Sequence, residues 1–253
     1  MTDHHRLKKY FENQVKIIIR LEPEVSRKLS GKGVHDLRVA IRRVQAALWL
    51  FHHSSAHLQF KKINRYFHKL QRVLGSVREL DVAIIDASHY GIDPSQLDYS
   101  HLIEMRKIAQ TQLAKSLGEK GRKRLAQQIA SAKKKMNTRK PVLLNQANAK
   151  LKSNLTSHFK HQIRSQKKLH QLRIATKKCR YALEAMGKGV TPLKRLQEVL
   201  GEANDLDFLQ EFTIKNVKLK TLQKSLNHKA IRLVKKMRDQ NALSKLARSV
   251  QID

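Results

Sequence analysis

The chain has 253 residues, with 53 Lys or Arg against 20 Asp or Glu, a formal net charge of +33 and an isoelectric point near 10.6. At 40% hydrophobic residues it is no disordered basic tail, and its length fits one large domain or two small ones. Such an excess of one sign repels itself in a compact state, so it points to a polyanionic partner: nucleic acid, an anionic membrane surface or inorganic polyphosphate. The single cysteine, Cys179, excludes an intrachain disulfide and suits a reducing compartment. The apolar run Ile17 to Ile19 is too short for a signal sequence or a membrane span, so the chain reads as soluble and cytoplasmic.

Helical periodicity dominates, Gly and Pro are scarce, and no stretch alternates as a strand would. A first helix is predicted over about residues 4–28, with Pro23 bending it or ending it early. Gly31 and Gly33 break the chain before a helix through His35 to Phe51. Ser54 or Ser55 caps a third helix through Lys61 to Leu74, Gly75 ends it, and a fourth begins near Val77. Residues 91–100, with Pro94, form a loop, and helices follow at about 101–117 and 120–136. Asn137 to Pro141 is the predicted boundary between two internal repeats, 1–137 and 138–253. A long helix at about 142–164 precedes another at 168–186, which Gly187 and Gly189 end. Thr191-Pro192 opens the next helix as a cap followed by proline. Gly201 ends that one, and two or three helices complete the chain.

One passage occurs twice. Residues 34–44 read VHDLRVAIRRV and residues 169–179 read LHQLRIATKKC. His35 matches His170, Arg38 matches Arg173, and Arg42 and Arg43 match Lys177 and Lys178. A second pair follows: LQRVLGSVRELD at 70–81 and LQEVLGEANDLD at 196–207. The repeated order suits an all-α fold of two up-and-down four-helix bundles related by a pseudo-twofold axis.

At 100° per residue, Val34, Leu37, Ile41, Val44 and Leu48 fall within about 80° and form a core stripe. His35, Arg38 and Arg42 fall on a neighbouring stripe, within about 60° of one another, and Arg43 lies further round. The second copy repeats this with Leu169, Leu172 and Leu183 apolar and His170, Arg173 and Lys177 cationic. A charge run that only solvates a helix has no reason to choose the shoulder of its core. Lys62, Arg65, Lys69 and Arg72 draw a further cationic line on the third helix, with Lys188, Lys194 and Arg195 roughly where its counterpart belongs; Lys62, Arg65, Lys69, Arg72, Lys194 and Arg195 are expected to join the two passages in binding polyphosphate.

Like charges a few ångströms apart repel, increasingly so as water is excluded, and a phosphate chain removes that repulsion. Arg meets phosphate oxygens with a planar fork and Lys as a point charge. Binding of this kind releases counterions and weakens steeply with salt. Glu79 and Asp81, matched by Asp205 and Asp207, read as groups that orient Arg and His or cap helices, not as metal ligands. His52, His53 and His57 read as exposed residues at a helix end, and Cys179 as packing. Glu22-Pro-Glu24 begins like the E-x-E-x-K of triphosphate tunnel enzymes, but Ser26 stands where Lys is required. No phosphate-binding Gly-rich loop, H-E-x-x-H or G-x-S-x-G is present, so no catalytic residue, metal or cofactor is expected and the chain reads as a non-enzyme.

With its two H-x-L-R passages, each followed by L-Q-x-V-L-G and L-D, the chain from about residue 5 to 245 resembles the CHAD domain family. The resemblance implies two helical bundles around a basic central cavity, binding of inorganic polyphosphate, and association with polyphosphate granules. It carries the binding role to His35, Arg38, Arg42, Arg43, His170, Arg173, Lys177, Lys178 and Arg180. The chain is expected to be a stand-alone CHAD protein without a triphosphate tunnel domain, and it reads as a monomer. Asn204 departs from the pattern where the first copy has Arg78. Nucleic acid is the less favoured partner. Sequence-neutral single-strand binders add aromatic stacking platforms, whereas aromatics are 5% here and only Tyr181 flanks the cationic stripe.

Overall fold

The computed structural model describes residues 3–54, 60–137, 147, 149–151, 153, 157, 165–214 and 217–239. As expected, the fold is all-α: the described residues hold no strand, only an isolated bridge between Leu97 and Thr213. The helices are α1 (Asp3–Lys28), α2 (Gly31–Ser54), α3 (Lys61–His89), α4 (Tyr99–Leu117), α5 (Glu119–Met136), α6 (Gln166–Ala185), α7 (Thr191–Gln210) and α8 (Val217–Asp239). A single 3-10 turn, Pro94–Gln96, interrupts the loop before α4. Two compact units divide the chain: residues 1–85 with 99–144, and residues 86–98 with 145–253.

In the first unit α1 packs along α2. Phe11, Val15 and Ile18 of α1 meet the stripe Val34, Leu37, Ile41, Val44 and Leu48 of α2, and all are at most 1% exposed. Phe67 and Leu74 of α3 are equally enclosed. Each such side chain contributes about 1.5–3 kcal/mol by leaving water. In the second unit α7 packs on both α6 and α8, with Leu172, Leu183, Leu196, Leu206 and Val234 at its centre. No described helix is long and apolar enough to cross a membrane.

The glycines behave differently from the expectation. Gly75 does not end a helix: α3 runs from Lys61 to His89 without a break. A Cβ at Gly75 would stand 3.2 Å from Nη2 of Arg38, so the glycine serves a close approach between α2 and α3. Gly201 does not end α7 either, since the helix formers around it outweigh a cost of about 1 kcal/mol. The L-Q-x-V-L-G and L-D passages therefore share one helix in each unit. Gly31 and Gly33 open α2 instead of separating helices, and Ser30 caps it by accepting the Gly33 N–H at 3.2 Å. After α7 one described helix follows, and residues 240–253, where the rest of the expected helices would fall, lie outside the described residues. The predicted helix at 142–164 lies mostly outside the described residues.

Two glycine substitutions should move stability in opposite directions. A Cβ at Gly121 would fall 1.9 Å from the backbone oxygen of Ser116, so Gly121→Ala is expected to destabilise by about 2 kcal/mol or more. Gly201 has open space around it, so Gly201→Ala is expected to stabilise by about 0.5–1 kcal/mol. Urea unfolding followed by circular dichroism measures both.

Candidate functional site

The first cationic cluster joins α2 to α3. Gln71 donates its side-chain N–H to the Arg38 carbonyl at 2.5 Å. The Arg38 guanidinium crosses the bare face of Gly75 and reaches Oε1 of Glu79 at 3.4 Å. The Arg38 side chain is only 15% exposed, so this cation is a fixed wall, not a solvated tail. One turn further along α2 stands half-buried Arg42, with half-buried Arg43 beside it. His35 keeps an exposed position one turn before Arg38, yet its proton affinity is lowered. Desolvation is the main cause, and Arg78, Arg38 and Arg42 add to it, while Asp36 opposes them. Asp36 is itself paired with Lys32 at 3.0 Å. The expected stripe thus exists, and Arg78 is a member that the helical wheel of α2 could not supply.

The repeated acids are tied to structure. Asp81, 6% exposed, accepts from Nε of Arg106 at 2.7 Å. Its other oxygen lies against Gly31, 3.2 Å from where a Cβ would stand, at the amino end of α2 whose dipole favours a carboxylate. In the second unit Asp207 accepts from Nε2 of Gln223 at 2.7 Å instead of from an arginine. Glu22, also buried, faces Arg122 at 3.4 Å, a structural tie between α1 and α5. Desolvation raises its pKa, against the pull of Arg122.

The cationic line on α3 does not share the face of the His35 cluster. At 100° per residue, Gln71 and Arg78 lie roughly 160° to 180° round α3 from Lys69. Lys62, Arg65 and Lys69 instead line a cavity of about 670 Å³ with Lys115, Lys120 and Arg124 of α4 and α5. Arg72 is exposed and outside it. Tyr66 donates to the Gly121 carbonyl at 3.3 Å, and the Arg124 guanidinium stands 5.8 Å from its ring centre. The sequence reading missed Lys115 and Arg124. Their only signal is the break at Leu117-Gly118, which folds α5 back beside α4.

In the second unit His170 and Arg173 line a smaller cavity, about 230 Å³, with Lys167, Asn204, Asp207 and Asn227. Gly201 has no neighbour comparable to the one Gly75 finds in Arg38. Lys177 is half-buried, and Lys178 has its pKa lowered by desolvation first and by Lys150 next, against Cys179. Arg180 is drawn into packing: Nε donates to Gln197 at 2.8 Å, Nη1 lies 3.7 Å from Glu184, and its carbon stands 4.1 Å from the Tyr181 ring centre. Tyr181 itself is 4% exposed and offers no stacking face. Lys194 and Arg195 are exposed on the first turns of α7, and Lys188 is half-buried in the preceding turn. The repeat places Thr191 against Arg65 and Glu198 against Arg72, so the α3 line has no full counterpart.

Cys179 is fully buried, and its thiol is pushed up to about 12 by burial, which removes it as a nucleophile at neutral pH. His52 is half-buried, while the side chains of His53 and His57 lie outside the described residues. Among the described residues no group of three or more His, Cys, Asp or Glu could hold a metal ion.

A family model described as the CHAD domain matches residues 9–213. The crystal structure of the CHAD domain from the plant Ricinus communis superposes with a TM-score of 0.68 at 22% identity, over 99% of this chain and 92% of that one. PptA from Streptomyces chartreusis superposes with a TM-score of 0.61 at 15% identity, over 99% of each chain. At these identities the likeness is one of fold. No curated protein matches in sequence.

The Asp81–Arg106 pair offers a structural control. Arg106→Leu leaves a nearly enclosed carboxylate without its partner and should destabilise by about 2 kcal/mol, less than a fully buried pair because Arg106 is 31% exposed. Asp81→Asn added to it should recover most of that loss, which a double-mutant cycle in urea would read.

Proposed function

The chain belongs to the CHAD domain family, and on that premise we propose that it binds inorganic polyphosphate, without catalysing a reaction on it, through the cations of its two H-x-L-R passages. The observation that carries this reading is the placement of Arg38, fixed across Gly75 at 15% exposure, with Arg42 half-buried one turn along the same face of α2; desolvation first, then Arg78, Arg38 and Arg42, lowers the proton affinity of His35 beside them. Cations gathered until they disfavour one another's neighbours are what a phosphate chain would relieve. In the first unit His35, Arg38, Arg42 and Arg78 carry the contact, with Arg43 at its margin. In the second unit His170, Arg173 and Lys177 carry it, with Lys178 beside them. Arg180 stands with this set, its guanidinium held by Gln197, Glu184 and the Tyr181 ring much as Arg38 is held by Glu79. A chain long enough to engage both copies gains effective concentration, so affinity rises with chain length. Such binding would also draw the protein to polyphosphate granules. The buried ring of Tyr181 weighs against single-stranded nucleic acid as the partner.

Long-chain polyphosphate should displace labelled DNA at a far lower phosphate concentration than DNA displaces polyphosphate. Equal displacement would sink the reading. Arg38→Gln combined with Arg173→Gln should weaken polyphosphate binding at least tenfold with helicity retained, as charge-assisted bonds of about 1.5–3 kcal/mol imply. Unchanged affinity would move the site elsewhere.

The histidine gives a pH test with a fixed sign. In the free protein the His35 pKa lies below its ordinary value, so stability is lost as pH falls through the histidine range toward that lowered value. A bound polyanion favours the charged ring and raises the pKa. Affinity for polyphosphate should therefore grow as pH falls through the histidine range near 6.5. The His35 resonance, followed by NMR, should titrate at higher pH when polyphosphate is present.

A further inference from the structure

We propose that the α3–α4–α5 cavity of the first unit is a second anion site, separate from the H-x-L-R passages, that takes a compact oligophosphate of three or four phosphoryl groups. The proposal deepens the polyphosphate reading but stands on different residues.

Six cations from three helices surround one space of about 670 Å³, and its lining contains no Asp or Glu. Among the described residues none of the six forms an ion pair with a carboxylate. The nearby acids are engaged elsewhere: Glu119 holds Lys123 at 2.7 Å, and Glu22 faces Arg122 at 3.4 Å. The volume lies in the range of small-molecule pockets, about 300–1,000 Å³. Cations that three helices contribute to one cavity suit a short multivalent anion.

The walls are also fixed in advance. Gly121 lets the start of α5 close on the Ser116 carbonyl so tightly that any side chain there would collide. Tyr66 holds that same glycine through its hydroxyl, and its ring lies beside the Arg124 guanidinium. The cations at the rim keep their heads in water, so their mutual repulsion is screened until a ligand enters. The first turn of α5, which carries Lys120 and Arg124's neighbour Gly121, adds the positive end of a helix dipole. The fixed backbone at Gly121 and the Tyr66 contacts limit the ordering cost to that of the exposed cation heads. The Tyr66 ring, the one aromatic in the lining, already has the Arg124 guanidinium 5.8 Å from its centre, so a base finds little stacking surface there. The ligand class is therefore an oligophosphate without a nucleoside.

The probe is tripolyphosphate, titrated calorimetrically against the full chain, with ATP in a second arm. One equivalent should bind. Lys69→Gln combined with Arg124→Gln should weaken tripolyphosphate at least tenfold and long-chain polyphosphate less than threefold. Arg42→Gln should leave tripolyphosphate within threefold. ATP should bind more weakly than tripolyphosphate. Tripolyphosphate affinity unchanged in the cavity variant, or lost equally in Arg42→Gln, overturns the proposal, as does tighter binding of ATP. Circular dichroism checks folding, and Lys69→Arg, which keeps the charge, should retain affinity. Should the chain fail to bind long polyphosphate yet take tripolyphosphate in this pattern, the function proposed above falls and this site stands.

Discussion

Arg38 lies across α3 because residue 75 has no Cβ. Its guanidinium passes 3.2 Å from where that atom would be and ends against Glu79, while its carbonyl takes a hydrogen bond from Gln71. One arginine thus touches three positions of the L-Q-x-V-L-G-x-x-x-E segment. This explains why the two repeated passages occur together: the second supplies the bare surface and the counter-charge that hold the first in place. Arg42 and His35 are then brought to the same face by the period of α2, and Arg78 by the packing of α3 against it. In the second unit the same passages meet with Asn204 for Arg78 and Asp205 for Glu79, and Gly201 stands open. The two copies share a plan but present different charge.

The acids show how a chain of net charge +33 stays compact. The most enclosed carboxylates, Glu22 and Asp81, are spent inside the fold on Arg122 and Arg106. Surface acids such as Asp36 and Glu119 answer a lysine one turn away, pairs that are worth about 0.3–0.5 kcal/mol. Many of the remaining cations face water, on α3, α5, α7 and α8, where salt screens them. A polyanion that binds only the folded state adds stability in proportion to the logarithm of its concentration.

Much of this was legible in the sequence, and the failures have physical causes. The core stripe of α2 and its cationic shoulder followed from period alone, because burial and charge sit at fixed angles on a helix. Gly75 and Gly201 misled, since a glycine inside a helix reads as a stop unless its neighbour is known, and Arg38 is 37 positions away (75 − 38). Arg78 joined the His35 cluster through packing between helices, which a single wheel cannot show. Arg180 fits the motif, while its contacts with Gln197, Glu184 and the Tyr181 ring could not be read from it. Of the line Lys62, Arg65, Lys69 and Arg72, the first three line one cavity and Arg72 stands outside it. The partners of those three on α4 and α5 appear only when the chain turns at Gly118.

The central claim is that the shoulder cations of the H-x-L-R passages neutralise phosphates. Arg42 tests it cleanly because it lines the cluster without the structural duties of Arg38. The affinity for long-chain polyphosphate, measured across a series of salt concentrations, gives a slope that counts the counterions released. The account predicts that Arg42→Gln lowers that slope by about one unit and weakens binding at every salt concentration. An unchanged slope with unchanged affinity would contradict it.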